Sequence, residues 1–148
     1  MRLVPEPISQ AGFRPFGMLV PRPAEAGRTV LSEMISWTDP EAWLRASLSL
    51  IDPIAPPLVA SKMERHRYSC QLFLPVEVGR YLVVVAPDNG DAPDPRGACA
   101  FFVPGDLGIV YAIGTWHCPM CVIGARGTFV GPHGGQRYGM RRGVVVTR

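Results

Sequence analysis

Long apolar runs are missing from this 148-residue chain, and no stretch approaches the roughly 18 residues that a membrane-crossing helix needs. The opening MRLVPEPISQ also lacks an apolar core of signal-peptide length, so a cytoplasmic protein with no membrane association is expected. Charge of one sign is scarce. The formal net charge is +3, and most of the excess lies in Arg137, Arg141, Arg142 and Arg148, with no aromatic ladder or nucleic-acid motif beside them. Residues 136–148 therefore read as a basic C-terminal strand or tail, and nucleic acid is excluded as a partner. Cysteine is sparse as well. Cys70, Cys99, Cys118 and Cys121, without a secretion signal, argue for reduced thiols rather than a disulfide framework. Cys118-Pro-Met-Cys121 has CxxC spacing, yet it lies near a strand start, and no second CxxC exists to complete a zinc site. These cysteines read as small buried hydrophobes. Internal repeats, low-complexity linkers and βαβ alternation are absent too, which leaves one domain over residues 1–148 and no organic cofactor.

What is present is punctuation. Sixteen Gly and sixteen Pro suit many short strands joined by turns and do not suit helix interiors. Apolar residues at 47% and charged residues at 18% give the balance of a globular chain. Phe13–Val20 reads as an opening strand. Asp39–Leu50 has two readings: a helix with Asp39 as N-cap and Pro40 at the first position, or a turn followed by a strand, because Ser-Leu-Ser-Leu alternates. IDPIAPPL is extended and irregular. Strand signals then follow closely in SKMERHRYS, CQLFLPV, RYLVVVAP, ACAFFVP, GIVYAIG, CVIGARGTFV and GVVVTR, with the turn-rich Pro87–Gly97 as a long loop. Seven short strands at this spacing predict an all-β sandwich or barrel with minor helix.

Two clusters carry candidate chemistry. In Lys62-Met-Glu64-Arg-His66, strand alternation would put Lys62, Glu64 and His66 on one face and Met63 and Arg65 on the other. Three ionisable groups on one face fit either a solvent face with a cross-strand ion pair or a lined pocket. Gln71 follows on the next strand and shares a face with Phe73. The second cluster is Gly114-Thr-Trp-His117-Cys-Pro119, where a turn would aim the His117 imidazole into a barrel mouth. His133, in Gly-Pro-His-Gly-Gly, reads as a loop residue, inert or lid-forming.

A histidine followed five residues later by an amide, then a distant Gly-x-Trp-His, resembles the paired metal motifs of the cupin barrels. Met63-Glu-Arg-His66, Gln71-x-Phe73, Tyr81-Leu-Val-Val-Val-Ala-Pro87, Gly114-Thr-Trp-His117-x-Pro119 and the early Phe13-Arg-Pro-Phe-Gly17 together resemble the ureidoglycolate lyase family of that superfamily. The resemblance covers roughly residues 8 to 130. It implies a cupin-type antiparallel β-barrel or jelly roll, a homodimer, and cleavage of the C–N bond of ureidoglycolate to glyoxylate and urea in allantoin and purine breakdown. It also implies one divalent metal on Glu64, His66, Gln71 and His117, a donor set that does not distinguish nickel, manganese, iron and zinc. His66, His117 and Glu64 are expected to be catalytic, with Lys62, Gln71, Arg65 and Trp116 binding substrate. Glu64 has three possible parts: metal ligand, partner fixing the His66 tautomer, or base.

The departures are Arg67 for the family's proline, Cys118 for its second histidine, Met18 where aspartate is common, and a closing segment that runs into Gly131-Pro-His-Gly-Gly135. They keep two other readings open: a different metal-dependent cupin enzyme for a small carboxylic acid, and a barrel that binds a small ligand without catalysis.

Overall fold

The computed structural model describes residues 3–55, 57–60, 62–131 and 133–135. Its strands are β1 (Glu6–Pro7), β2 (Gly17–Pro21), β3 (Trp43–Arg45), β4 (Leu48–Ile51), β5 (Pro53–Ile54), β6 (Gln71–Glu77), β7 (Arg80–Ala86), β8 (Cys99–Pro104), β9 (Leu107–Tyr111), β10 (Trp116–His117), β11 (Cys121–Ile123), β12 (Gly127–Val130) and β13 (His133–Gly135). One short helix, α1 (Gln10–Phe13), is capped by the Ser9 hydroxyl, which accepts from the Gly12 amide.

The strands make two sheets, the arrangement of an all-β cupin-type jelly roll, rather than one closed cylinder. One sheet runs β1-β8-β7-β11-β5 with β10 also on β7, and the other runs β2-β9-β6-β12-β4, with β13 joining β3 to β6. Alternation builds the core between them. On β7, Tyr81, Val83 and Val85 face the second sheet and meet Ile109, Tyr111 and Phe129, while Phe13 closes one end. The Tyr81 and Phe129 rings meet edge-on at 5.2 Å, and burying each large side chain of this kind stabilises the fold by roughly 1.5–3 kcal/mol. The other face of β7, Leu82, Val84 and Ala86, is buried too, under Ile54 of β5 and under Leu58 and Met63 of the irregular stretches that follow. Leu72 and Val110, on the outer side of the second sheet, are covered by Leu31, Met34 and Ile35. Loops thus roof both sheets, which explains continuous apolar runs in strands such as RYLVVVA.

Several expectations are corrected. Asp39–Leu50 does not form a helix: Asp39 caps a single turn by accepting from the Glu41 amide, and the chain then extends as β3 and β4, with the Ser-Leu-Ser-Leu alternation paired to β12. The expected strand through SKMERHRYS is an extended segment held by isolated bridges, Glu64 to His117 and Ser69 to Trp37. The opening strand shortens to Gly17–Pro21, because Gln10–Phe13 is helical. IDPIAPPL ends β4 at Ile51 and then forms β5, parallel to β11. Pro87–Gly97 is a loop ending in a short 3-10 turn, Pro95–Gly97. The strand expected in GVVVTR and the basic tail 136–148 lie outside the described residues. Among the described residues no helix is long and apolar enough to cross a membrane.

Candidate active site

His117 is placed by backbone pairing on both sides. It lies opposite Val85 of β7, and across from Glu64, with which it exchanges two hydrogen bonds: the Glu64 amide donates to the His117 carbonyl at 2.8 Å and the His117 amide to the Glu64 carbonyl at 2.9 Å. The turn before it depends on Gly114, whose φ of +79° is a conformation that a side chain would strain. The Gly114 amide donates to the His66 carbonyl at 2.8 Å, tying that turn to the same segment.

Side chains of alternate residues then separate to two sides. Glu64, His66 and His117 turn toward the space between the sheets, and their ligand atoms all lie within 4.8 Å of one another. The His66 and His117 rings stack with centroids 5.7 Å apart. Gln71, at the start of β6, reaches in from the opposite sheet and brings Oε1 to 3.1 Å from His117 Nε2, and a Glu64 carboxylate oxygen stands 3.7 Å from the same nitrogen. Tyr111 stacks on His117 at 4.1 Å.

The His117 tautomer follows from its neighbours. Nδ1 is 2.9 Å from the Thr115 carbonyl, which can only accept, so Nδ1 carries the proton and Nε2 presents a lone pair to the site. Burial holds the His117 pKa down to about 4, with the nearby His66 adding to the fall, so the ring is neutral at physiological pH. Burial also raises the Glu64 carboxyl. With Nε2 lacking a proton, Gln71 Oε1 and Nε2 are two acceptors facing each other. Either a cation lies between them or the Gln71 amide is turned to donate its NH₂. The 3.1 Å separation matches the spacing of about 3 Å between adjacent ligands held near 2.1 Å from one divalent ion.

Arg65 and Trp116 lie on the other side of the same two segments. The Arg65 guanidinium stacks over the Trp116 ring at 4.6 Å and donates to Asp88 at 2.7 Å and to Asp91. Trp116 Nε1 donates to Asp88 at 2.8 Å, and Arg67 also meets Asp91. Lys62 is exposed. Of the seven residues singled out from sequence, the fold therefore gathers Glu64, His66, Gln71 and His117, sets Arg65 and Trp116 behind them, and leaves Lys62 at the surface.

Sequence reasoning did not find Tyr111, although its alternation with Ile109 on GIVYAI put it on the inner face. It did not find the Thr115 carbonyl or the Asp88 and Asp91 carboxylates either, and only the folded chain reveals these. The cysteines are free, and Cys70, Cys118 and Cys121 are buried. Burial pushes the Cys118 thiol up to about 12, the opposite of an activated thiolate.

A sequence model of the family described as "Ureidoglycolate lyase" matches residues 1–138. The chain belongs to the ureidoglycolate lyase family. Curated relatives include the ureidoglycolate lyase of Azotobacter vinelandii, 32% identical with 80% of this chain and 76% of that protein covered. The ureidoglycolate lyase of Stutzerimonas stutzeri is 32% identical with 84% and 78% covered, and that of Pseudomonas savastanoi pv. phaseolicola is 30% identical with 87% and 81% covered. The motifs through which the chain resembles the ureidoglycolate lyase family, Glu64-Arg-His66, Gln71 and Trp116-His117, are the segments that meet at this site.

Proposed function

We propose that this chain is a lyase that cleaves the C–N bond of ureidoglycolate to give glyoxylate and urea, in the breakdown of purine nitrogen through allantoin. One observation carries the reading: Glu64, His66, Gln71 and His117 meet at a single point in a chain of this family. The reaction moves one proton from the substrate hydroxyl to a base. The C–O bond becomes a carbonyl as the C–N bond breaks, and the ureido nitrogen leaves with a proton. Glu64, with 37% of its side chain exposed, can meet substrate and accepts the hydroxyl proton. His66 beside it supplies the proton to the leaving nitrogen. His117, buried and neutral, and Gln71 orient the substrate oxygens. Lys62 is a rim cation that draws the anion in. Arg65 and Trp116 serve substrate binding through the backbone they fix.

The donor set also fits one divalent cation, on the facing acceptors of His117 and Gln71. Glu64, His66, Gln71 and His117 would hold it, and nickel, manganese, iron and zinc all suit imidazole and oxygen donors. Such an ion, when bound, polarises substrate oxygens and steadies the developing alkoxide charge. We further propose that the protein works in the cytoplasm as a homodimer.

The test is glyoxylate release from ureidoglycolate, measured on the protein as purified, after chelation, and after resupply of Ni²⁺, Mn²⁺, Fe²⁺ or Zn²⁺. Turnover is expected, and His66→Ala or His117→Ala should lower kcat by about 100-fold or more while the fold is kept. Loss on chelation and return with metal assigns the set to an ion, and indifference to chelation assigns it to direct proton transfer. A folded protein that is inactive with every metal overturns the reading. That outcome favours another small carboxylic acid as substrate, in line with Cys118 and the altered closing segment.

A further inference from the structure

At one end of the second sheet, four strands bring residues into cross-strand register: Arg45 on β3 faces His133 on β13, His133 faces Gln71 on β6, and Gln71 faces Tyr111 on β9. Residues paired directly across strands project from the same face of a sheet. Gln71 and Tyr111 identify that face as the inner one, because both touch His117. The adjoining strands agree. β4 and β3 run against β12 and β13 in a single unbroken register, Leu48 and Leu50 are exposed, and Phe129, opposite Ser49, is fully buried. Odd-numbered positions of this stretch therefore share the inner face, and Arg45 is one of them.

Charge then gives Arg45 a use. A substrate with a carboxylate meets Glu64 in this site, so it needs a cation to offset that repulsion. Arg65 and Arg67 are already committed to Asp88 and Asp91. Arg45 is exposed and takes part in none of the ion pairs between described residues. It lies two strand spacings, about 10 Å, from Gln71, a gap that an arginine side chain and a small acid span together.

We infer that Arg45 is the carboxylate-recognising residue of this site, its guanidinium fork meeting the substrate's carboxylate at the mouth while Glu64, His66 and Gln71 meet the hydroxyl and ureido groups. The planar fork suits two parallel hydrogen bonds to a carboxylate, which a lysine ammonium cannot reproduce. The inference rests on the reading that the substrate is a small carboxylate.

The experiment compares wild type, Arg45→Met, Arg45→Lys and Arg28→Met for ureidoglycolate kinetics, for direct binding of glyoxylate by calorimetry, and for thermal midpoint. Arg45→Met should raise KM and the glyoxylate Kd about 10- to 100-fold, the range expected for a lost charge-assisted pair. Its kcat and thermal midpoint should stay near wild type, Arg45→Lys should restore part of the affinity, and Arg28→Met, which removes an exposed arginine outside the site, should leave affinity unchanged. Wild-type glyoxylate affinity in Arg45→Met overturns the inference, and if ureidoglycolate turnover persists, the lyase reading survives that result. Glyoxylate binding that depends on Arg45, in a protein that does not cleave ureidoglycolate, sinks the lyase reading and supports Arg45. A wild-type protein that neither binds glyoxylate nor turns over ureidoglycolate overturns both.

Discussion

His117 illustrates how one residue takes its chemistry from its surroundings. Its Nδ1 proton is given to the Thr115 carbonyl, its ring is stacked on Tyr111, and its Nε2 faces Gln71. Its neighbour Cys118 makes the opposite point, since the same burial leaves a thiol with nothing to ionise it. Iodoacetamide at pH 8 should therefore label the partly exposed Cys99 of the folded protein first, and Cys118 and Cys121 only once urea unfolds it. Peptide mass spectrometry over time checks the order, and early labelling of Cys118 would contradict its burial. At this scale the sequence was half readable. Glu64, His66, Gln71 and His117 stand in short motifs whose residue types announce polar chemistry. Arg45 stands in a stretch with no such motif, and only pairing through β13 brings it level with Gln71.

The segment carrying Glu64 and His66 is not a true strand, so something other than a ladder must hold it. Two backbone hydrogen bonds join Glu64 to His117, and behind them Arg65 is clamped by Trp116, Asp88 and Asp91. Isolated surface ion pairs contribute little, but the Arg65 side chain is only 9% exposed and is shared between two carboxylates and a ring. The Trp116 and Arg65 hydrogen bonds hold the Asp88 carboxyl below its ordinary range, and those of Arg65 and Arg67 do the same for Asp91. A carboxyl whose folded pKa is depressed adds stability above its unfolded pKa near ~3.9 and loses it as pH falls through the folded value. The thermal midpoint should hold from pH 7 to about 5 and drop below about pH 4, with a shallower drop in Asp88→Asn. The same variant should speed hydrogen exchange at the Glu64 amide and lower kcat, and unchanged exchange would refute the clamp. Sequence patterning could not resolve elements such as these. The residues in Lys62–Tyr68 alternate as a strand would, yet the segment meets its neighbours through separate backbone bonds at Glu64, His66 and Tyr68 rather than through a continuous ladder. Asp39 caps a turn just as it would cap a helix, and the choice between them falls to β12, which offers Ser-Leu-Ser-Leu a place to pair.

Seen whole, the molecule is two sheets with loops roofing their outer faces, and the roof is incomplete. Leu48 and Leu50 remain exposed on the outside of the second sheet, opposite Val130 and Thr128 of β12. Exposed apolar groups gathered on one face are where chains associate, and this is the face expected to join copies in the proposed homodimer. Light scattering at micromolar concentration should give twice the chain mass for wild type and a monomer for Leu50→Glu. A Leu50→Glu dimer would move the contact elsewhere. The all-β class was legible because Gly, Pro and short apolar runs set the strand spacing. The strand order was not, since pairing partners lie far apart in the chain.

That separation bears on how the protein is made. β1 pairs with β8, β2 with β9 and β5 with β11, so each of these early strands waits for a partner made much later. The first pieces able to close on themselves are central, β7 with β8 and then β6 with β9. Long-range pairing is slow, and unpaired strands invite aggregation while they wait. On the ribosome, then, this chain emerges in one order and assembles in another, from the middle outward. His117 leaves the tunnel after Glu64, His66 and Gln71, so the proposed catalytic centre waits for the latest of its four residues.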